Sequence, residues 1–206
     1  MRLWERCMLT PLTDIVCGLG PITENRRRIV PEAEGIVLEP GMGSGRNLPL
    51  YDPAKVRRVI GVDPGKDLLR FARRRAGGLP LAVEFLEQSA ETLPLEDHSV
   101  DTVVLTYAGC TIPDIRGALR EFRRVLRPGG RLLFCEHGRS PEPRVARFQD
   151  MINPLWTRLA GGCNVNRDIE SLLREAGFAI EKVERFYRPS RPKFVTWHFL
   201  GAARPE

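Results

Sequence analysis

Glu39, Gly41, Gly43 and Gly45 set a carboxylate ahead of three glycines at alternate positions, in the run VLEPGMGSGRN from Val37 to Asn47. A strand that ends on an acid and then turns through bare backbone lets a small ligand pack against the peptide planes, and a helix start expected just after it offers free N–H groups. A dinucleotide fingerprint, G-x-G-x-x-G, needs glycine or alanine at position 46, where this chain has Arg46, so NAD is disfavoured. Asp63 stands eighteen residues past Gly45 at the end of a second apolar run, VRRVIGVD. A carboxylate at that neighbouring strand end can accept both hydroxyls of a ribose. Farther on, Glu136 and His137 close the run GRLLFCEH. An imidazole with an ordinary pKa of ~6.5 suits proton transfer near neutrality, which makes His137, with Glu136 beside it, the candidate for catalytic acid–base work.

These residues need a scaffold that brings several strand ends together. From residue 35 onward, short apolar runs alternate with amphipathic stretches, the pattern of an α/β fold with a doubly wound, mostly parallel sheet. Strands are predicted at GIVLEPG, VRRVIGVD, LAVEFL, SVDTVVLT and GRLLFCEH, then at FAIEKVERFY and FVTWHFLGAAR, the last two joined as an antiparallel hairpin through the proline-rich RPSRPK. Helices are predicted at DLLRFARRRAGG, at PDIRGALREFRRVLRPGG, and after Asn166 as a cap, where Ile169, Leu172, Leu173 and Ala176 repeat at helical spacing. Residues 1 to 34 read as a helical N-terminal lid, with Trp4, Met8, Leu12, Ile15 and Leu19 on one face, and residues 35 to 206 as the ligand-binding domain.

In order and spacing, VLEPGMGSG, VIGVD, SAETLPLEDHSVDTVVLT and EFRRVLRPGGRLLFCEH resemble class I S-adenosylmethionine-dependent methyltransferases across roughly residues 35 to 203. The resemblance implies a seven-stranded Rossmann-like sheet with an antiparallel seventh strand and S-adenosylmethionine as cofactor. It implies cofactor contacts from Glu39, Gly41, Met42, Gly43, Gly45, Asn47, Asp63, Pro64, Ser89, Ala90 and Thr106, with the Ser89–Ala90 position bordering the adenine. Many relatives have aspartate where this chain has Ser89. A narrower likeness lies in TYAGCTIPD, FCEHGRS, DMINPLWTRLAGGCNVNRDI and REAGF, which resemble small bacterial relatives of the methyltransferase-like alkyl-thiol methyltransferases. It points to a small or lipid-like methyl acceptor (thiol, phospholipid amine or quinol) and to Tyr107, Cys110, Trp156 and Cys163 as its pocket. Pro154 and Trp156, in NPLW, read as packing or pocket wall, because the N-P-P-aromatic motif of amino-group methyltransferases would directly follow the fourth strand.

The five cysteines, Cys7, Cys17, Cys110, Cys135 and Cys163, form no CxxC pair, which argues against a disulfide framework or a zinc finger and for a reducing cytoplasm. Cys110, Cys135 and Cys163 fall near one sheet edge, as a thiolate trio would in arsenite methyltransferases. Free cysteine is usually packing, so no metal ligand set is expected. No apolar run reaches the ~20 residues of a membrane span, although the N-terminal segment suits peripheral contact with a lipid surface. The net charge of +6 sits in separate arginine clusters, at 26 to 28, 57 to 58, 73 to 75 and 123 to 124, which read as solvated faces. Nucleic acid is therefore not the expected partner; an RNA methyltransferase and a cofactor-binding protein without turnover are the alternatives. Composition and spacing leave the oligomeric state open.

Overall fold

Consecutive residues of the central strands feed two different cores. The computed structural model describes Gly18 and residues 20–189 and 191–206. In it the strands are β1 (Gly35–Pro40), β2 (Val56–Val62), β3 (Val83–Leu86), β4 (Val100–Thr106), β5 (Leu126–His137), β6 (Phe178–Tyr187) and β7 (Trp197–Pro205). Leu38, Ile60, Val103, Leu132 and Phe134 enter one cluster, while their neighbours Val37, Val59, Val104, Leu133 and Cys135 enter the other. Because successive side chains alternate across a pleated sheet, runs that are apolar at every position belong to strands covered on both faces.

The covering helices are α1 (Gly20–Ile29), α2 (Lys66–Ala76), α3 (Ile115–Val125), α4 (Pro143–Leu159) and α5 (Ile169–Glu175). Helix α3 presents Ile115, Ala118, Leu119 and Phe122 to the first cluster, joined there by Ile169, Leu172 and Leu173 of α5. Ile29 of α1 and Ala72 of α2 pack in the second. Side-chain caps start two of them. The Asp114 carboxylate accepts from the Gly117 amide at 2.9 Å, and that of Asp168 accepts from Ser171 at 3.2 Å. Asp168, not the expected Asn166, therefore caps α5; the Asn166 amide instead donates to Asp150 at 3.0 Å. The helix expected straight after the glycine run is a single 3₁₀ turn, Leu48–Leu50. Pro49 has no N–H for the next turn to use, and Pro53 follows closely.

The strand order is β3-β2-β1-β4-β5-β7-β6, parallel except for β7, which is antiparallel to both β5 and β6. The chain winds outward from β1 to β3 and returns to lay β4 on the other side of β1. That reversal opens a crevice at the carboxyl ends of β1 and β4, where open α/β sheets bind ligands. The predicted sheet, with its antiparallel seventh strand, is the observed one. The lid face at Trp4, Met8, Leu12, Ile15 and Leu19 lies outside the described residues. Among the described residues no helix is long and apolar enough to cross a membrane.

Candidate active site

The loop after β1 is shaped by left-handed backbone at Gly41, Gly43 and Gly45, with φ of 64°, 58° and 74°. The three glycines serve different ends. A Cβ on Gly41 would sit 2.5 Å from the Cβ of Ala108, and one on Gly45 would meet Leu48 at 2.8 Å and the Ala72 backbone at 3.1 Å, whereas one on Gly43 would find nothing closer than 3.9 Å. Gly41 and Gly45 are thus required by protein packing. Gly43 leaves its bare face to open space.

That space is a cavity of about 130 Å³ at the crevice, lined by Glu39, Gly41, Met42, Gly43, Asn47, Asp63, Thr106 and Tyr107 from the sequence reading, and also by Arg26, Ser44, Arg46, Leu68, Ala108 and Thr111. Asp63 closes its floor, its two oxygens accepting from the Gly43 amide at 2.8 Å and the Gly65 amide at 2.7 Å. Burial raises the Asp63 pKa and these two amides lower it, with burial the larger effect. A carboxylate has about four lone-pair sites, so two remain for a ligand. Glu39 is fully enclosed: Tyr51 donates to it at 2.7 Å and Asn47 at 3.0 Å, and Asn47 also donates to Thr106 at 2.9 Å. Burial pushes Glu39 up to about 7, against the lowering effect of Tyr51, Arg26 and Asn47. The Oδ1 of Asn47 is buried without a hydrogen-bond partner.

Tyr107 stands at φ 54°, uncommon for a residue with a side chain, which turns the chain out of β4 over the cavity mouth. Its hydroxyl accepts from Asn25 at 2.9 Å, and the Arg26 guanidinium lies 5.2 Å from the centre of its ring. Sequence reasoning missed Arg26 because RRR at 26 to 28 reads as a solvated face; only the packing of α1 against the sheet turns it inward, to 6% exposure. Gly45, Pro64, Ser89 and Ala90 are not among the residues lining the cavity. The Ser89 hydroxyl donates to Glu91 at 2.9 Å, and Ala90 is buried in the core.

Beside the cavity, Glu136, the penultimate residue of β5, is fully buried, and one of its oxygens accepts from the amides of Ala108 and Gly109 at 2.8 and 2.9 Å. Burial raises it to about 6, against the lowering effect of those amides and of His137. Its evident work is to hold the turn after β4. His137 faces Cys163, with Nε2 3.3 Å from the sulfur. Burial favours its neutral form, but Cys163 and Glu136 outweigh that and raise its pKa. Contact with Cys110 and with His137 outweighs burial and holds the Cys163 thiol well below the ordinary range. Cys135 is different. It is fully buried in β5, and burial pushes its thiol up to about 12. The three cysteines placed near one edge by sequence are therefore not one cluster; His137 takes the place of Cys135. Trp156 packs edge-on against Phe194, with ring centres 5.2 Å apart.

A reversal crevice with a glycine turn, an enclosed acid and a second acid at the next strand end is shared by many nucleotide-binding folds. Sequence comparison narrows it. Residues 38–134 match the family described as "Methyltransferase domain". The human "Thiol S-methyltransferase TMT1A" is 33% identical over 177 residues, covering 84% of this chain and 72% of that protein. The chain belongs to the class I S-adenosylmethionine-dependent methyltransferases. The methyltransferase is also similar to the "Ubiquinone/menaquinone biosynthesis C-methyltransferase UbiE" of Hahella chejuensis, 29% identical over 180 residues, covering 82% of this chain and 63% of that one. Its fold matches a solved geranyl diphosphate methyltransferase in complex with its cofactor, with a TM-score of 0.73 at 15% identity, over 94% of this chain and 90% of that one. S-adenosylmethionine is its cofactor. The open face of Gly43, the two spare lone-pair sites of Asp63 and the unpartnered Oδ1 of Asn47 fit that group in kind. A cavity of 130 Å³ is below the roughly 300 Å³ of small ligand sites, so it must widen when the cofactor binds.

Proposed function

We propose that this methyltransferase methylates a small lipophilic thiol. The observation that carries the reading is the match to thiol S-methyltransferases, whose 177 aligned residues extend well past the 97 residues (38–134) of the shared methyltransferase domain. Bound S-adenosylmethionine supplies an activated sulfonium methyl, so the chain's task is alignment and exclusion of water. Asp63 accepts the ribose hydroxyls, the bare face of Gly43 admits the methionine portion, and Glu39 balances positive charge. Tyr107 and Thr111 border the side from which the acceptor approaches, where Asn25 and Arg26 of α1 meet Tyr107. Phe148, Met151, Leu155 and Leu159, all exposed on α4, support an apolar acceptor and contact with the lipid surface that would hold it. A quinol acceptor is the second reading, favoured by the similarity to the ubiquinone/menaquinone C-methyltransferase.

The test is methyl transfer from labelled cofactor to a panel of alkyl thiols, demethylated quinols and phospholipid amines. Thiol methylation is expected, and Asp63→Ala should weaken cofactor binding by about 1.5 to 3 kcal/mol, the worth of hydrogen bonds to a charged group. Turnover confined to quinols would replace the thiol reading. Unchanged cofactor affinity in the Asp63 variant would remove that residue from the site.

A further inference from the structure

Cys110, His137 and Cys163 come from three separate stretches of chain: the loop after β4, the last residue of β5 and the glycine-rich loop after α4. Their donor atoms, two Sγ and an imidazole nitrogen, all lie within 4.8 Å of one another. On a tetrahedral zinc ion, with Zn–S of about 2.3 Å and Zn–N of about 2.0 to 2.1 Å, such donors stand roughly 3.5 to 3.8 Å apart. The Cys163–His137 pair already stands at 3.3 Å. Closing the rest of the triangle takes at most about an ångström, within reach of side-chain rotation.

The frame that holds the three is built from fixed hydrogen bonds. The Asn164 backbone N–H and side-chain amide both donate to the Cys110 carbonyl, at 2.8 and 3.0 Å, tying the Cys163 loop to the Cys110 loop. Asn153 of α4 holds Asn164 in turn, at 3.0 Å. Glu136 fastens the turn before Cys110 to the strand end that carries His137, and Arg167 donates to the Gly109 carbonyl and, at 2.8 Å, to that of Ile112. Cys135 shows what a packing cysteine looks like here, fully buried in a strand. Cys163 is partly exposed after two glycines with left-handed backbone, Gly161 and Gly162 at φ 60° and 90°, where core packing does not call for a thiol.

We infer that Cys110, His137 and Cys163 form a three-ligand site for a thiophilic divalent ion, zinc in the first instance, with its fourth position open to an exogenous thiol. Two thiolates and one imidazole suit zinc rather than magnesium or calcium, and three protein ligands with one open position are the arrangement of catalytic zinc. Ala108 and Thr111, which flank Cys110, line the cofactor cavity, so the open position adjoins the place where the methyl is delivered. A thiol that coordinates there gives its proton to solvent and is held as thiolate. The three-ligand site rests on the geometry of the three side chains alone, whereas a thiol as its fourth ligand rests on the acceptor reading above.

The experiment uses the full chain, purified with a phosphine reductant and stripped of metal, then titrated with Zn²⁺ and with Co²⁺. One ion per chain is expected to survive dialysis, and bound Co²⁺ should show a thiolate-to-cobalt charge-transfer band in the near ultraviolet. Cys110→Ser, Cys163→Ser and His137→Ala should each weaken binding at least tenfold, while Cys135→Ala keeps the stoichiometry and the band. Adding 2-mercaptoethanol to the cobalt form should shift the band. Folded wild-type chain that retains less than a tenth of an equivalent, or cobalt without a thiolate band, overturns the site, and this needs no variant to fold. A band indifferent to added thiol overturns the open position. Methyl transfer is not read, so failure here leaves the acceptor reading standing, and failure to methylate thiols leaves the metal site standing.

Discussion

Glu39 shows how one enclosed side chain couples folding to pH. Its pKa is raised by burial to about 7 from an ordinary 4.5, so between those values the folded chain binds a proton that the unfolded chain has lost. Stability from this group is therefore greatest below about pH 4.5, falls as pH rises through about 7 and is level above. Denaturant melts of wild type and Glu39→Gln from pH 5 to 8 should show a steeper downward slope in the wild type than in the variant, which keeps the contribution of Glu136; parallel curves would mean that Glu39 titrates alike in the folded and unfolded chain. The glycines give a second contrast at this scale. Gly45→Ala puts a Cβ 3.1 Å from the Ala72 backbone in a left-handed conformation and should destabilise by more than the ~1 kcal/mol of the conformation alone. Gly43→Ala meets no neighbour within 3.9 Å, so it should cost only about that 1 kcal/mol while cofactor affinity falls sharply. Melting curves set beside calorimetric titration separate the two effects.

Among elements, β4 is fixed at its amino end by one acid. Asp101 accepts from the Ile36 amide at 2.7 Å and from Arg57 and Arg127 at 2.8 and 2.5 Å, joining the starts of β1, β2 and β5. Burial raises its pKa, but the Ile36 amide and the two guanidinium groups outweigh that and lower it. The stability it contributes is thus present above the ordinary carboxylate pKa and is lost as pH falls through the lowered one. Asp101→Ala leaves a part-buried N–H and two arginines without their acceptor. A loss of about 1 to 3 kcal/mol in urea unfolding is expected, with cofactor affinity intact because the cavity lies at the opposite end of these strands. A fall in affinity equal to the loss of stability would mean that the two ends are coupled.

Across the whole molecule, three of the arginine clusters reach acids on other stretches of chain: Arg28 pairs with Glu184 at 2.5 Å, Arg58 with Glu84 at 3.4 Å and Arg124 with Asp97 at 2.7 Å. Exposed pairs of this kind stabilise little, yet they break the positive charge into neutralised patches. An arginine-lined hollow of about 660 Å³, with Arg120, Arg123, Arg124 and Arg127, lies at the amino end of β5. His137 is at the other end of that strand; because Leu126 pairs with Val100 and Cys135 with Thr106, the two ends stand roughly 20 to 25 Å apart at ~3.3 Å per residue. The hollow and the cofactor cavity share no lining residue. Thiol methylation should accordingly stay nearly flat between low and moderate salt; an RNA methyltransferase would lose binding with a slope near 0.7 per phosphate contacted. Turnover measured across that salt range decides between them.

Sequence by itself determined the sheet and the cofactor that the fold carries, and it put Glu39, Gly41, Gly43 and Asp63 at one crevice, because these signals are local. Alternation, apolar runs and turn residues are written within each element, and Glu39, the glycines and Asp63 sit at strand ends whose order follows from doubly wound topology. Local signals also misled at two element ends, where Pro49 cut short a predicted helix and Asp168 displaced Asn166 as a cap. Tertiary structure decided what depends on distant chain meeting. It turned Arg26 inward under Tyr107, gave Glu136 to the turn after β4, buried Cys135 alone, and brought Cys110, His137 and Cys163 together from positions up to fifty-three residues apart. No period or spacing encodes such a meeting. It exists only once the loops after β4 and α4 are tied through Asn164 to one another.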